Sequence, residues 1–250
     1  MTTDGWEQVS NGKMPISEQP LNDGENSKGS DDLGPSPPYE ETVQSARRHD
    51  GPSRLHVLGA TWGGVDVTAE IQGIVTLDTA GKFETMTLNM HTMHTTLLPD
   101  PAIGVIKTLT VLYQYDGDDS EMQLLNATQF APQIKIQITP TAHLEEVKYL
   151  PKFFIRLNEA WMNYGQTEII AVLYGTGRIQ TPSVLDELAQ FFEGRRGQIR
   201  TTSNFFRTDP WVGMPKSWTV YFRVLNSATP RVRCVTGMQN GALEVPWTRD

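Results

Sequence analysis

The residue types that could carry chemistry in this 250-residue chain are few and scattered. Four carboxylates gather at a predicted hairpin tip, as an oxygen-rich calcium site would require. They are Asp116, Asp118, Asp119 and Glu121. Their spacing does not follow the order of an EF-hand loop, and the second half of the chain has no acids at the matching position. We therefore interpret the cluster as a solvated turn and expect no metal and no other cofactor.

Other groups that could act in catalysis also lack the partners they need. Cys234 is the single cysteine, and no histidine close in sequence could activate it, so we expect a packed thiol. Gly175-Thr176-Gly177 imitates a dinucleotide-binding loop but lacks the third glycine. No Gly-x-Ser-x-Gly, His-Glu-x-x-His or Walker pattern occurs. The sequence thus predicts no catalytic residue and a protein that is not an enzyme.

One motif, Asp-Pro-x-x-Gly-x-x-Lys, occurs twice. Its defining residues are Asp100, Gly104 and Lys107 in the first copy, and Asp209, Gly213 and Lys216 in the second. Proline and aspartate favour a turn, and glycine supplies a positive φ where the chain reverses. We interpret both copies as structural loops, and a duplicated binding site is the alternative. With the lysines at the surface, changing either to alanine is expected to alter the free energy of unfolding by less than about 0.5 kcal/mol.

The motif belongs to a longer internal repeat, and such a repeat decides the fold class. Leu55 to Thr68 aligns with Ile170 to Thr181, so each copy opens with a strand and a glycine turn. Further along, runs rich in β-branched and aromatic residues are followed by polar turns, which indicates hairpins. We predict a mainly β protein of two tandem β-sandwich-like repeats with short helices, covering residues 54–140 and 168–250.

Two segments outside the strands carry helical patterns. Residues 182–194 place apolar side chains on one face, with Ser183 as the expected N-cap and Gly194 at the end. Residues 141–167, between the repeats, also space apolar side chains by three or four, which predicts a helical bridge. A strand over Lys152 to Leu157 is an alternative.

Residues 1–53 are predicted to form a disordered acidic tail, because they contain too few large aliphatic side chains to bury. The tail contains Pro37-Pro38-Tyr39, which resembles the Pro-Pro-x-Tyr ligands of WW domains, although Ser36 stands where a stricter match has proline. A kinase could instead modify Ser36 or Tyr39, and the run could also be a linker that binds nothing.

Three segments of the first repeat carry a resemblance to a known family: Ala60 to Thr68, Asp100 to Gly104, and Lys107 to Tyr115. They resemble the C-terminal β-rich domain of the mitochondrial DnaJ-like subfamily C member eleven proteins, and similar domains of uncharacterised fungal proteins. The second repeat matches more weakly. The resemblance implies a β-sandwich-like domain of unknown activity. It implies no chaperone partnership, because the chain contains no J-domain.

Composition limits the setting. The net charge is −8, with an acidic first repeat and a basic second one, and we expect no nucleic-acid partner. No apolar run approaches the roughly 18 residues of a membrane span, so we expect no membrane insertion. We expect a cytoplasmic protein, with a nuclear location possible, that acts as an adaptor for WW-domain or other protein partners. The alternative is a β-sandwich that binds calcium or carbohydrate through loop carboxylates and exposed Trp62 and Trp211.

Overall fold

The computed structural model describes residues 51–97, 102–116, 121–130, 135–140, 154–157, 162–226 and 231–244, and these belong to one compact unit. Most of the predicted tail, including Pro37, Pro38 and Tyr39, lies outside the described residues. Its last residue, Ser53, pairs with Phe83 in an isolated bridge.

Strands dominate the described residues, and the prediction of a mainly β protein is confirmed. The strands are β1 (Leu55–Trp62), β2 (Val65–Asp66), β3 (Thr76–Leu77), β4 (Glu84–Asn89), β5 (Thr108–Tyr115), β6 (Gln123–Thr128), β7 (Lys135–Ile138), β8 (Phe154–Arg156), β9 (Met162–Tyr164), β10 (Thr167–Tyr174), β11 (Gly177–Arg178), β12 (Ile199–Arg200), β13 (Ser217–Val224), β14 (Val232–Met238) and β15 (Ala242–Leu243). The helices are α1 (Thr68–Gly73), α2 (Met93–Thr96), α3 (Pro182–Phe192) and α4 (Ser203–Phe206). Within the described part of the chain, none of these helices is long and apolar enough to cross a membrane.

Two large antiparallel sheets form the frame. The first has the order β2-β1-β5-β6-β8, and the second has the order β11-β10-β13-β14, with β9 also pairing with β10. Small sheets β3-β4-β7 and β12-β15 complete the fold. Below, the first half means β1 to β8 and the second half means β9 to β15.

The backbones of the two large sheets share irregular details as well as strand order. The ladder between β1 and β5 shifts register between Val57 and Gly59, and the ladder between β10 and β13 shifts between Ile169 and Ala171. In each half, the strand before the tight turn ends in a buried aromatic residue and continues through a glycine with positive φ. The central strands of the two halves therefore have the same backbone geometry.

Each large sheet buries one face under elements of its own half. In the first half, Trp62 of β1 packs in one cluster with Ile71 of α1 and Leu88 of β4. In the second half, Tyr174 of β10 packs with Leu188 of α3 and stacks on Phe206 of α4, with 4.5 Å between the ring centroids. These are two separate apolar cores, one for each half.

The remaining faces of the two sheets pack against each other. This third core joins side chains of both halves: Leu112, Leu124, Leu157, Ile170, Ala171, Leu173 and Tyr221. Close backbone approach supports the packing, because a Cβ placed on Gly59 would lie 2.8 Å from the Tyr221 ring. The two halves therefore share a core and are not independent beads.

A buried hydroxyl network crosses this contact. Thr61 Oγ1 lies 2.7 Å from Thr110 Oγ1 and 2.8 Å from Thr219 Oγ1, and all three side chains are buried. Tyr221 OH lies 2.7 Å from Thr110 Oγ1 and also donates to the Gly59 carbonyl at 3.4 Å. Buried hydroxyl groups need such partners, so the network fixes how the sheets face each other.

The contacts also fix the relative direction of the sheets. Thr110 and Thr219 are each the third residue of their strands, β5 and β13, and both meet Thr61. The turn after β10 also meets the first half, since Asn126 Nδ2 donates to the Thr176 carbonyl at 3.2 Å. A Cβ placed on Gly64 would lie 2.9 Å from the backbone of Gly237. Strands β5 and β13 therefore begin at the same end of the molecule.

The predicted helical bridge over 141–167 is wrong where the structure describes it. Residues 154–156 form β8, which pairs with β6, and residues 162–164 form β9, which pairs with β10. Both short strands satisfy their backbone groups on an available sheet edge, a tertiary effect that local apolar spacing does not contain. The alternative of a strand near Lys152 to Leu157 is the correct one. Residues 141–153 and 158–161 lie outside the described residues.

The second predicted helix is confirmed with a shifted start. Helix α3 begins at Pro182, and its N-cap is Thr181 rather than Ser183. Proline fits the first helical position because the backbone N–H group that it lacks would have no acceptor within the helix there. Gly194, just past the helix, has φ = 70°, as a C-terminal glycine should.

Tyr221→Phe should lower the free energy of unfolding by about 1 to 2 kcal/mol, because it removes a buried hydroxyl that contacts both Thr110 and Gly59. Tyr113→Phe is the matched control. Tyr113 is equally buried, but its hydroxyl has no hydrogen-bond partner among the described residues, so the change should stay within about 0.5 kcal/mol or stabilise. Urea unfolding measures both; equal losses would show that the hydroxyl network does not hold the sheets together.

Candidate functional site: two lysine-supported loops at one end of the fold

The second copy of the repeated motif is a closed turn. Asp209 Oδ1 accepts the Trp211 amide at 3.1 Å, and the Met214 amide donates to the Trp211 carbonyl, also at 3.1 Å. Gly213 has φ = 77°, in the left-handed region where side chains are strained. The role expected for this glycine is confirmed.

The first copy has the same turn. The Val105 amide donates to the Ala102 carbonyl at 3.1 Å, and Gly104 also has φ = 77°. A Cβ on Gly104 or Gly213 would meet no atom within 4 Å, so only backbone strain opposes a side chain there. Asp100, which the sequence also assigns to this loop, lies outside the described residues.

Both motif lysines are buried, and the expectation that they lie at the surface is wrong. Lys107 is 2% exposed and Lys216 is 1% exposed. Each ammonium group turns back under its own loop, donating to the Val105 carbonyl at 3.0 Å in the first copy and to the Met214 carbonyl at 2.7 Å in the second. The sequence motif did not indicate this burial, because a lysine in a turn is usually exposed to solvent.

Lys216 has further partners that explain how its charge is tolerated. Its Nζ lies 2.7 Å from Asp209 Oδ1 and 3.5 Å from Gln239 Oε1, and it sits over the Tyr174 ring, 5.6 Å from the centroid. A buried ammonium needs this combination of counter-charge and hydrogen bonds. The hydrogen bond from Lys216 holds the pKa of the Asp209 carboxyl below its usual range.

The network continues into helix α4. Ser203 Oγ donates to Asp209 Oδ2 at 3.3 Å, lies 2.8 Å from Tyr174 OH and accepts from Gln239 Nε2 at 3.3 Å. Serine, aspartate, lysine and tyrosine are thus gathered in one place. Each of these polar groups hydrogen-bonds to another, and the lysine ammonium is buried. The arrangement therefore stabilises the loop.

At the equivalent position of the first half stands Trp62, which ends β1 as Tyr174 ends β10. Trp62 is fully buried, so the suggestion that it is an exposed platform for a carbohydrate is wrong. Trp211, the other residue suggested for that role, is half-buried within the second loop.

Six turns gather at the end of the molecule where β5 and β13 begin. Backbone hydrogen bonds tie four of them to the lysines or to the first residue of these strands: Gly63 to Thr108, Gln129 to Lys107, Gly175 to Ser217, and Gln239 to Lys216. The two motif loops precede the same strands. We call this surface the loop end and define it as residues 63–65, 102–106, 129–130, 175–177, 211–215 and 239–241.

The loop end is largely apolar, and Asp209, the exposed first residue of the second motif loop, lies just outside its segments and pairs with Lys216. None of its six segments contains Asp, Glu, Lys or Arg. The described residues include seven exposed large hydrophobic side chains, and five of them lie on the loop end: Val65, Ile103, Phe130, Val212 and Met214. Ile103 and Val212 occupy equivalent positions in the two loops and are 87% and 85% exposed. Most of the exposed large apolar groups among the described residues therefore share one end.

The opposite end of the sheets is charged. There His56 Nε2 lies 2.6 Å from Asp116 Oδ1, and Arg223 pairs with Glu168. The hydrogen bond from His56 lowers the pKa of the Asp116 carboxyl. Asp116 belongs to the carboxylate cluster considered for calcium, in which Glu121 is exposed and Asp118 and Asp119 lie outside the described residues. Within the described ranges, no three acidic, histidine or cysteine side chains are grouped to hold a metal ion.

Cys234 lies on β14 at the contact between the halves, packed with Tyr221 in the shared core. Burial raises the pKa of its thiol well above the ordinary value, so the reactive thiolate is disfavoured. This agrees with the interpretation as a packed thiol.

Comparison with known proteins gives no neighbour: no protein-family model, no curated protein and no solved structure matches this chain. The resemblance to the DnaJ-like proteins stays a prediction.

Lys216→Ala should lower the free energy of unfolding by about 2 to 3 kcal/mol, because it removes a buried stem and charged hydrogen bonds. Lys107→Ala should behave similarly. The control is Lys82→Ala at an exposed position, expected to change stability by less than about 0.5 kcal/mol. Chemical denaturation compares the three; motif variants that unfold like the control would contradict the supporting role.

The ion pair between Asp209 and Lys216 should also make the free energy of unfolding depend on pH in the acidic range. A carboxyl with a lowered pKa stabilises the fold above its unfolded pKa, near pH 4, and this contribution is lost as pH falls through the folded pKa. Asp209→Asn should therefore be less stable than wild type at pH 7, and the difference should shrink toward pH 2. Urea titrations from pH 2 to 7 test this. In a Lys216→Met background the same substitution should leave a much smaller pH-dependent difference; an unchanged difference would point to another partner.

Proposed function

We propose that this protein is a non-enzymatic protein-interaction or adaptor protein. The observation that carries the proposal is the loop end, where exposed apolar side chains lie on six segments that contain no charged residue. The centres of protein interfaces have this composition, with charge depleted and aromatic residues and methionine enriched. A surface of this kind on a monomer usually marks an interaction site.

The tail supplies a second binding element in this proposal. Pro37-Pro38-Tyr39 fits the groove of a WW domain because prolines pre-set the extended conformation and the tyrosine ring gives an apolar anchor. The described chain enters the fold at Leu55, which pairs with Tyr115 at the far end of β5. Eight strand residues, roughly 26 Å, separate that point from the loop end. The point where the chain enters the fold and the loop end therefore lie at opposite ends of the sheet.

The polar groups near the loops support a binding role over a catalytic one. Lys216, Asp209 and Ser203 bond to one another, and the lysine ammonium is shielded from solvent. A nucleophile or general base must reach its substrate, and these groups instead hold a turn. The proposal includes a cytoplasmic or nuclear location and WW-domain proteins as partners of the tail.

Tyr39→Ala in the full chain should weaken binding to a group I WW domain by at least tenfold, because the ring is the main apolar anchor of a short motif. Pro20→Ala, in the tail but outside the motif, is the control and should bind like wild type. Titration calorimetry with a purified WW domain gives the affinities. Equal binding by the Tyr39 variant, or no binding by wild type, would reject WW domains as the partners.

A further inference from the structure

We propose that the loop end binds the loop end of a second copy of this chain, so that the protein is an end-to-end dimer. The contact would be centred on the tips of the two motif loops, Ile103 and Val212, with Phe130 and Met214 beside them. The dimer names a second copy as the protein partner of the loop end, so it rests on the interaction role proposed above for that surface, and it does not depend on WW-domain binding.

Charge is the first argument for a second copy. Residues 54–250 contain 19 acidic and 17 basic residues, a net charge of only −2, so two folds repel each other weakly. The six segments of the loop end contain no charged residue, so identical chains can meet there without placing like charges against each other. A different protein is commonly selected by a complementary charge pattern, which this end does not offer. An anionic lipid surface would attract Lys and Arg, and the six segments contain none.

Symmetry is the second argument. Strands β5 and β13 begin at the same end, and each is preceded by the same loop, with Ile103 in one and Val212 in the other. A two-fold dimer requires a surface that is complementary to itself. Two equivalent apolar tips with uncharged turns around them allow the tips of one copy to lie between those of the other.

Size and rigidity are the third argument. The six segments contain roughly twenty residues, which matches the 20 to 30 residues that each partner contributes to a stable interface. Both loops are already held in one conformation by the buried lysines Lys107 and Lys216. Binding therefore costs little conformational entropy in these loops.

The dimer has a consequence for the tails. Because each chain enters its fold at the end opposite to the contact, the two points at which the tails join an end-to-end dimer lie at its two far ends. A partner with two WW domains, or a surface carrying many, would bind such a dimer more tightly than a single chain, with no new contact.

Sedimentation velocity of the full chain from about 1 to 100 μM tests the dimer, and wild type should approach twice the monomer mass. The double variant Ile103→Asp/Val212→Asp should dissociate at least tenfold more readily, because it places like charges at the centre of the contact. The matched control is Leu77→Asp/Leu225→Asp, which makes the same chemical change at exposed residues outside the loop end. This control should dimerise like wild type.

Circular dichroism and thermal unfolding should be unchanged in the loop variant, since both side chains are almost fully exposed. If it unfolds, the milder Ile103→Ser/Val212→Ser takes its place with the same expected loss. An interface without charges should also keep its dissociation constant within about threefold between 50 and 500 mM salt.

Three results would overturn the proposal. Wild type could stay a monomer over the whole concentration range. A dimer could persist in the loop variants, which would place its interface elsewhere. Cosedimentation with phosphatidylcholine vesicles that is lost in the Ile103/Val212 variants, while the free protein is monomeric, would assign the loop end to a lipid surface. Each result leaves the WW-domain test unaffected.

Discussion

The packing of one sheet face against another is the constraint on which the rest of this structure depends. Each large sheet has two faces, and elements of its own half cover only one. The second face carries Leu112 and Leu124 in the first half, and Leu173 and Tyr221 in the second. Because these side chains would otherwise meet water, each half completes the core of the other.

This packing also orients the surface. The threonine and tyrosine hydroxyls between the sheets make one direction of the strands favourable, since a different alignment would leave buried hydroxyl groups without partners. With that direction fixed, both Asp-Pro-x-x-Gly-x-x-Lys loops emerge at one end, and the paired charges His56 and Asp116 lie at the other. The contrast between an apolar end and a charged end follows from the shared core.

The buried lysines connect the core to that surface. Lys107 and Lys216 are long enough to lie beneath a turn and bond its carbonyl oxygen, and in the second half Asp209 supplies the counter-charge. The ammonium therefore stiffens a loop whose outer residues are apolar and cannot stabilise it themselves. Exposed tips such as Val212 are presented on a fixed support, which suits a binding surface.

The sequence by itself determined the mainly β class, the doubled motif, the positive φ of Gly104 and Gly213, and helix α3. These depend on local properties: periodicity, turn chemistry and the steric freedom of glycine. Tertiary structure decided the strands at 154–156 and 162–164, the burial of Lys107, Lys216 and Trp62, and the gathering of Ile103, Phe130 and Val212 at one end. The two short strands form because they pair with the free edges of the sheets. The packing of the two sheets against each other decides which side chains are buried. Both conditions arise between residues far apart in the chain, where composition and spacing contain no information about distance.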